Sequence, residues 1–256
     1  IKGSIDHRGT EVAAIDNAQL NKYIQECKEK QIKVCAVAGK FSTRNNKHEV
    51  IIKEAAAPYC DYITMGHTLS GVLSFPRRAA SAYYNSAVWR IYNNFIDSVL
   101  KAMEDIGIRA PINILKADGG TMPLELSRKI PVESILSGPA ASIMGIIALC
   151  NIKEDSVILD IGGTTTDIAI FAAGSPLVNR EGASLGGIPT LVRSLENRSI
   201  GIGGDSIIKI ENGKVVTGPE RPGPCMADGG ANPCLIDALN FKKIIKYNNV
   251  EASERG

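Results

Sequence analysis

Two apolar runs, Val157 to Ile161 and Ile168 to Ala172, read as strands, and between them lies Asp160-Ile-Gly-Gly-Thr-Thr-Thr-Asp167. The segment must reverse the chain within a few residues while carrying two carboxylates, two glycines and three hydroxyls. Gly162 and Gly163 let backbone N–H groups approach an anion with no Cβ in the way. Thr164, Thr165 and Thr166 add hydroxyl donors on the same turn. Asp160 ends one strand and Asp167 begins the next, so the pair is placed to orient a hard cation through its water ligands or to polarise an attacking water. That inventory suits a nucleotide's phosphates with a magnesium ion. The competing reading is a plain Gly-Gly hairpin with threonines on a pleated surface. Two aspartates bracketing one turn argue against it.

Composition narrows the partners. With 256 residues the chain is long enough for one large or two small domains with real cores. Lysine and arginine total 29 against 27 acidic residues, a formal charge of +2, so no broad electrostatic footprint points to nucleic acid or an anionic membrane. No apolar run approaches the ~20 residues of a membrane span. The six cysteines form no Cys-x-x-Cys pair and several sit inside apolar runs, as buried thiols do in a reducing cytoplasm. His7, His48 and His67 are dispersed and pair with no cysteine at zinc-ligand spacing. The chain opens at Ile1, without a methionine and in mid-pattern, which leads to the expectation of a fragment of a longer protein.

The first seventy-odd positions read as β-β-α-β-α-β, a layered α/β unit. Two short strands flank Asp6-His7-Arg8-Gly9, a helix covers Ala18 to Lys30, and Val34 to Ala38 is a buried strand. A helix over Lys47 to Ala57 stops at Pro58, and Tyr62 to Gly66 is the next strand. Asp6 to Thr10 superficially echoes the phosphate turn, but its single glycine and bulky His7-Arg8 pair make it a hairpin turn. Tyr84, Val88, Ile91, Phe95, Val99 and Met103 fall at steps of three and four, which predicts one long helix over Ala79 to Ile106 with this stripe as core. Ile112 to Lys116 is a strand leading to Asp118, which either faces an active cleft or is a turn residue followed by Thr121 as a helix cap. Ser137-Gly138-Pro139-Ala140-Ala141-Ser142 opens a helix to about Leu149 whose start packs closely on a neighbour or faces phosphate. Lys40, Lys47 and Lys116 are possible anion contacts.

A second glycine-rich segment, Gly201-Ile202-Gly203-Gly204-Asp205-Ser206, precedes a strand pair around Asn212-Gly213, a strong hairpin signal. In a nucleotide site Gly203 and Gly204 let the ligand lie on backbone, and Asp205 or Ser206 bonds the ribose or a phosphate. Taken singly, such a segment is also a common tight turn.

The ordered set of Lys116-Ala-Asp-Gly-Gly, Ser137-Gly-Pro-Ala-Ala, Asp160 to Asp167, Gly201 to Ser206, Pro222-Gly-Pro-Cys and Asp237-Ala resembles the hydantoinase A and 5-oxoprolinase family. The likeness covers most of residues 73–256. Residues 1–72, with Val34 to Val37 leading to Asn45 and His48-Glu49, resemble the tail of that family's N-terminal region. The resemblance implies a ribonuclease-H-like, actin-like ATPase fold, a mixed sheet with flanking helices in which two related halves each supply a phosphate turn. It also implies ATP and Mg2+ as cofactors, a small cyclic-amide substrate such as a hydantoin or 5-oxoproline, and a partner subunit or homo-oligomer. On that carry-over Asp160 and Asp167 are the paired catalytic and metal-orienting acids, Gly162 to Thr166 the phosphate cradle, and Gly203 to Ser206 the nucleotide-side turn.

Three departures stand out. Where members often have Gly-Ala-Gly-Gly-Gly-Ser, this chain has Ile202 and Asp205, a carboxylate where the nucleotide's own charge would sit. Arg198 stands in a Glu-Asn-Arg segment where Asp-Ile-His is frequent. The first phosphate turn of the N-terminal half is not among these residues, so the chain alone is expected to turn over little or nothing. A carboxylase-type or kinase-type ATPase, and a non-catalytic subunit-interaction module, are the alternative functions.

Overall fold

The computed structural model describes residues 1–255. They form two compact units, Ile1–Ala141 with Val178–Leu195, and Ser142–Leu177 with the chain from Glu196 onward. No described helix is long and apolar enough to cross a membrane.

In the first unit, β1 (Ser4–Ile5) and β2 (Glu11–Ala13) form an antiparallel hairpin. Asp6 Oδ1 accepts the N–H groups of Arg8 and Thr10, each at 2.9 Å, so this carboxylate holds its own turn. Helix α1 (Asn17–Glu29) starts after Asp16, whose side chain accepts the Gln19 N–H at 3.0 Å. Strands β3 (Val34–Val37) and β4 (Tyr62–Met65) are parallel, which requires a crossover, and α2 (Lys47–Ala56) supplies it. The short α3 (Gly66–Leu69) then leads to α4 (Phe75–Asp105).

The periodicity of α4 finds its buried face only in part: Tyr84, Val88, Val99 and Met103 are half-buried, and Tyr84 packs on Ala117, Val132 and Val192. Ile91 and Phe95, read as core, are 72% and 61% exposed, whereas Arg78, Ser81, Ala82, Asn85, Ser86 and Ile96 are buried. The physical reason is polar: this face meets strand ends and a 3-10 turn that need hydrogen-bond partners. Ser86 Oγ donates to the Cys35 carbonyl at 2.7 Å. Asn85 donates to Thr64 Oγ1 at 3.0 Å and accepts the Val132 N–H at 3.1 Å. Small and amide side chains satisfy those groups where large apolar ones cannot. Asn85→Ala is therefore expected to cost about 2 kcal/mol in denaturant unfolding, since it leaves the buried Val132 N–H unpaired. Ile91→Ala should stay within about 0.5 kcal/mol. Equal losses for the two variants would contradict this assignment of faces.

Strands β5 (Asn113–Leu115) and β6 (Thr121–Pro123) pair antiparallel around Lys116 to Gly120. Thr121 is thus a strand residue opposite Leu115 and caps no helix; α5 (Leu124–Ser127) begins only after Pro123. The β5–β6 ladder supplies more backbone hydrogen bonds than a one-residue cap would. Asp118 accepts the Gly120 N–H at 3.0 Å and pairs with Lys116 Nζ at 2.9 Å. Burial raises the Asp118 carboxyl, but Lys116 and the Gly120 N–H outweigh it and hold it below the usual carboxylate range.

The boundary between the units falls within α6 (Ser137–Leu149). In the second unit β7 (Ser156–Ile161) and β8 (Thr166–Ala172) form a hairpin, and strand Asn197–Ile200 pairs antiparallel with the far side of β8. Phe171 of β8 and Ile143 of α6 are almost fully buried. Strands Ile208–Glu211 and Lys214–Thr217 pair around Asn212 and Gly213, at φ 52° and 73°. Both residues adopt the left-handed region that a two-residue hairpin loop demands.

Candidate phosphate and cation site

In the β7–β8 ladder Asp160 lies directly opposite Asp167, and Ile161 opposite Thr166. The turn closes through the Gly162 N–H to the Thr165 carbonyl at 2.9 Å. Among the described residues, the N–H groups of Gly163, Thr164 and Thr165 donate to no protein atom. Gly163 and Thr164 are exposed and Thr165 half-buried, so the turn offers free donors to an anion from solvent.

The second glycine-rich segment is seated on the first. Gly204 N–H donates to the Gly162 carbonyl at 2.9 Å and Asp205 N–H to the Gly163 carbonyl at 2.8 Å. Thr166 Oγ1, read as part of the cradle, donates to the Ile202 carbonyl at 2.7 Å. The buried Ser206 accepts the Gly203 N–H on its Oγ at 2.9 Å, holding its own turn. A Cβ on Gly203 would stand 2.6 Å from the Gly162 oxygen and the Gly163 carbonyl carbon. Glycine is required there so that two backbones can touch. The Asp205 carboxylate pairs with Arg221 at 2.5 Å, and Arg221 also donates to Thr164 Oγ1 at 3.1 Å.

The two carboxylates differ in their partners. Asp160 Oδ2 accepts the Ser142 hydroxyl at 2.5 Å, which ties α6 to the hairpin. Asp167 Oδ1 is buried without a partner. Like charges directly opposite on a ladder repel, and a buried orphan acceptor is costly, so a bound cation would relieve both. An all-oxygen donor set of this kind favours Mg2+ or Ca2+ over softer metals.

Other titratable clusters are committed elsewhere. Cys225, Cys234 and Asp237 lie within 4.8 Å of one another. Asp237 Oδ1 already accepts from Ala227 N–H at 2.9 Å and Ser253 Oγ at 2.8 Å, and Oδ2 from Met226 N–H at 2.9 Å and Cys234 N–H at 3.1 Å. Burial pushes the Cys234 thiol up to about 12 and the Cys225 thiol upward too, so both stay protonated. The cluster caps helix α7 (Leu235–Phe241). Of the lysines considered from sequence, Lys47 pairs with Glu11 and Lys116 with Asp118, while Lys40 Nζ lies 5.4 Å from the Phe41 ring centroid. His48 bonds Glu11 at 2.9 Å and His67 bonds the buried Glu49 at 2.6 Å. The residues that sequence reasoning missed are Ser142, visible only as a small residue at a helix start, and Arg221, which adjoins the Pro222-Gly-Pro-Cys motif without being part of it.

Residues 78–249 match the family described as Hydantoinase/oxoprolinase. The chain belongs to that family. Residues 1–60 match the hydantoinase/oxoprolinase N-terminal region. Caprolactamase subunit alpha of Pseudomonas jessenii is 27% identical over 252 residues, covering 93% of this chain and 36% of that subunit. The 5-oxoprolinase of Saccharomyces cerevisiae is 28% identical over 221 residues, 82% of this chain and 17% of that protein. The chain thus spans about a third or less of these hydantoinase/oxoprolinase relatives. Its mixed α/β fold matches the nucleotide-free structure of acetone carboxylase, from work on ATP-dependent acetone carboxylation. The TM-score is 0.79 at 15% identity, over 98% of this chain and 38% of that one.

Proposed function

We propose that this chain works as part of an ATP-dependent hydrolase that opens a small cyclic amide. The observation that carries the reading is the joining of the two glycine-rich segments into one turn pair beside the opposed Asp160 and Asp167. On this reading residues 73–256 belong to an actin-like, ribonuclease-H-like ATPase domain and residues 1–72 to the tail of the N-terminal region. Gly162, Gly163, Thr164 and Thr165 receive phosphate oxygens, Gly203 and Gly204 pass close to the nucleotide, and Thr166, Asp205 and Ser206 hold the two turns in shape. Asp160 and Asp167 would hold a Mg2+ ion, which would supply neutralisation of the phosphate charge.

The chemistry explains the need for ATP. A lactam carbonyl is a poor electrophile; transfer of the terminal phosphoryl group to its oxygen creates a leaving group. Water then adds at the carbon, the ring C–N bond breaks as the nitrogen takes a proton and an acyl phosphate is left, and a second water splits that acyl phosphate into carboxylate and phosphate. Family likeness also supports a partner subunit, as the name caprolactamase subunit alpha says of that relative. An actin-like site takes a phosphate turn from each of two halves, and among the described residues only Asp160 to Asp167 has that form. The isolated chain is therefore expected to show little or no turnover.

The likeness to acetone carboxylase supports a second reading, a carboxylase-type ATPase that phosphorylates a different oxygen. ADP release by the full-length protein with its partner, in the presence of hydantoin, 5-oxoproline, simple lactams and simple ketones, separates the two. Stimulation by cyclic amides is the expected result. Stimulation by ketones with bicarbonate alone would favour the carboxylase, and no stimulation by any of them would favour a non-catalytic module.

A further inference from the structure

Asp205 is the site residue whose charge opposes phosphate binding. Its side chain is only 14% exposed, and a Cβ on Gly163 would stand 2.9 Å from its Oδ2, so the carboxylate lies directly against the phosphate turn. Left alone there, it would repel the anion that the free N–H groups invite. Arg221 prevents this. One terminal nitrogen, Nη2, pairs with Asp205 Oδ2 at 2.5 Å, and the other, Nη1, donates to Thr164 Oγ1 at 3.1 Å. The Arg221 side chain remains 46% exposed. A guanidinium has five N–H donors in a rigid fork, so two bonds do not exhaust it.

We infer that Arg221 is a phosphate-binding residue of this turn and that Asp205 is the counterion holding it in position. The inference rests on the ATP reading above and deepens it. It assigns the cationic group that the Asp160 to Asp167 segment lacks. It also turns the departure at Asp205 from a defect into half of a compensated pair. Arg221 can turn its free donors to phosphate oxygens while Asp205 retains the other edge, an arrangement that favours di- and triphosphates over the bare nucleoside.

The test is calorimetric titration of the full-length protein with ATP, ADP and adenosine. Arg221→Ala is expected to weaken ATP and ADP about tenfold or more, to leave adenosine unchanged, and to be partly rescued by Arg221→Lys. The double variant Asp205→Gly/Arg221→Ala should stay as weak as Arg221→Ala. If instead the double variant regains wild-type affinity, Arg221 merely neutralises Asp205 and the inference is overturned. It is overturned equally if Arg221→Ala binds ATP like wild type, or if adenosine weakens in parallel. A wild-type protein that binds neither ATP nor ADP would sink the reading of the site itself, a distinguishable result. Thermal melts of each unliganded variant establish that it folds.

Discussion

Asp160→Asn is expected to lower ATP hydrolysis by the full-length protein about 10³-fold while leaving the fold at least as stable as before. The two effects have one cause. Asp160 and Asp167 face each other across the ladder, and Asp167 Oδ1 is buried with no partner. Without a cation, directly opposed like charges cost stability, so removing one relieves repulsion. The amide oxygen of the substituted side chain can still accept the Ser142 hydroxyl that Asp160 accepts now, so α6 keeps its tie to the hairpin. On the proposed reading the same pair positions a cation, and losing one such charge-stabilising group costs rates of about 10²–10³-fold or more. Melting temperature with and without Mg2+, read beside ADP release, checks the claim. In wild type Mg2+ should raise the melting temperature; in Asp160→Asn that rise should shrink. Unchanged turnover in the variant would remove Asp160 from the mechanism, and a large fall in unliganded stability would make its role structural.

What the sequence revealed of this site was local chemistry. An Asp-x-Gly-Gly-Thr segment between apolar runs has few other structural outcomes, and the Asn212-Gly213 loop states its left-handed conformation in its own residue types. Side-chain partnership across long separations was not legible. Arg221 reaches Thr164 over 57 positions, and the Pro222-Gly-Pro-Cys motif that follows it says nothing of that partner. The faces of α4 were legible only in part, for a different reason. Periodicity finds an apolar stripe but does not say what the opposite face must satisfy. Here Asn85 and Ser86 are buried because Val132 N–H, Thr64 Oγ1 and the Cys35 carbonyl need partners. Thr121 misled in the same way: its residue type fits a helix cap, and only pairing with Leu115 makes it a strand.

Gly203→Ala tests whether the two glycine-rich segments form one site. A Cβ there would stand 2.6 Å from Gly162 O and from the carbonyl carbon and oxygen of Gly163, all backbone atoms that cannot rotate away. Relief requires the segments to separate, which breaks Gly204 N–H to Gly162 O and Asp205 N–H to Gly163 O. Overpacking costs about 1–3 kcal/mol and each lost hydrogen bond about 0.5–1.5, so a destabilisation of about 2–4 kcal/mol is expected. Nucleotide affinity should fall with it, because Asp205 and Arg221 would move off Thr164. The control is one residue away. A Cβ on Gly204 would meet only the Ile236 side chain, with Cδ1 at 2.8 Å, and that side chain can shift to another rotamer. Gly204→Ala should therefore cost about 1 kcal/mol and keep most of the affinity. Denaturant melts and ADP titration of the pair decide between one joined site and two independent turns. Identical behaviour of the two variants would mean that backbone contact at Gly203 does not hold the segments together.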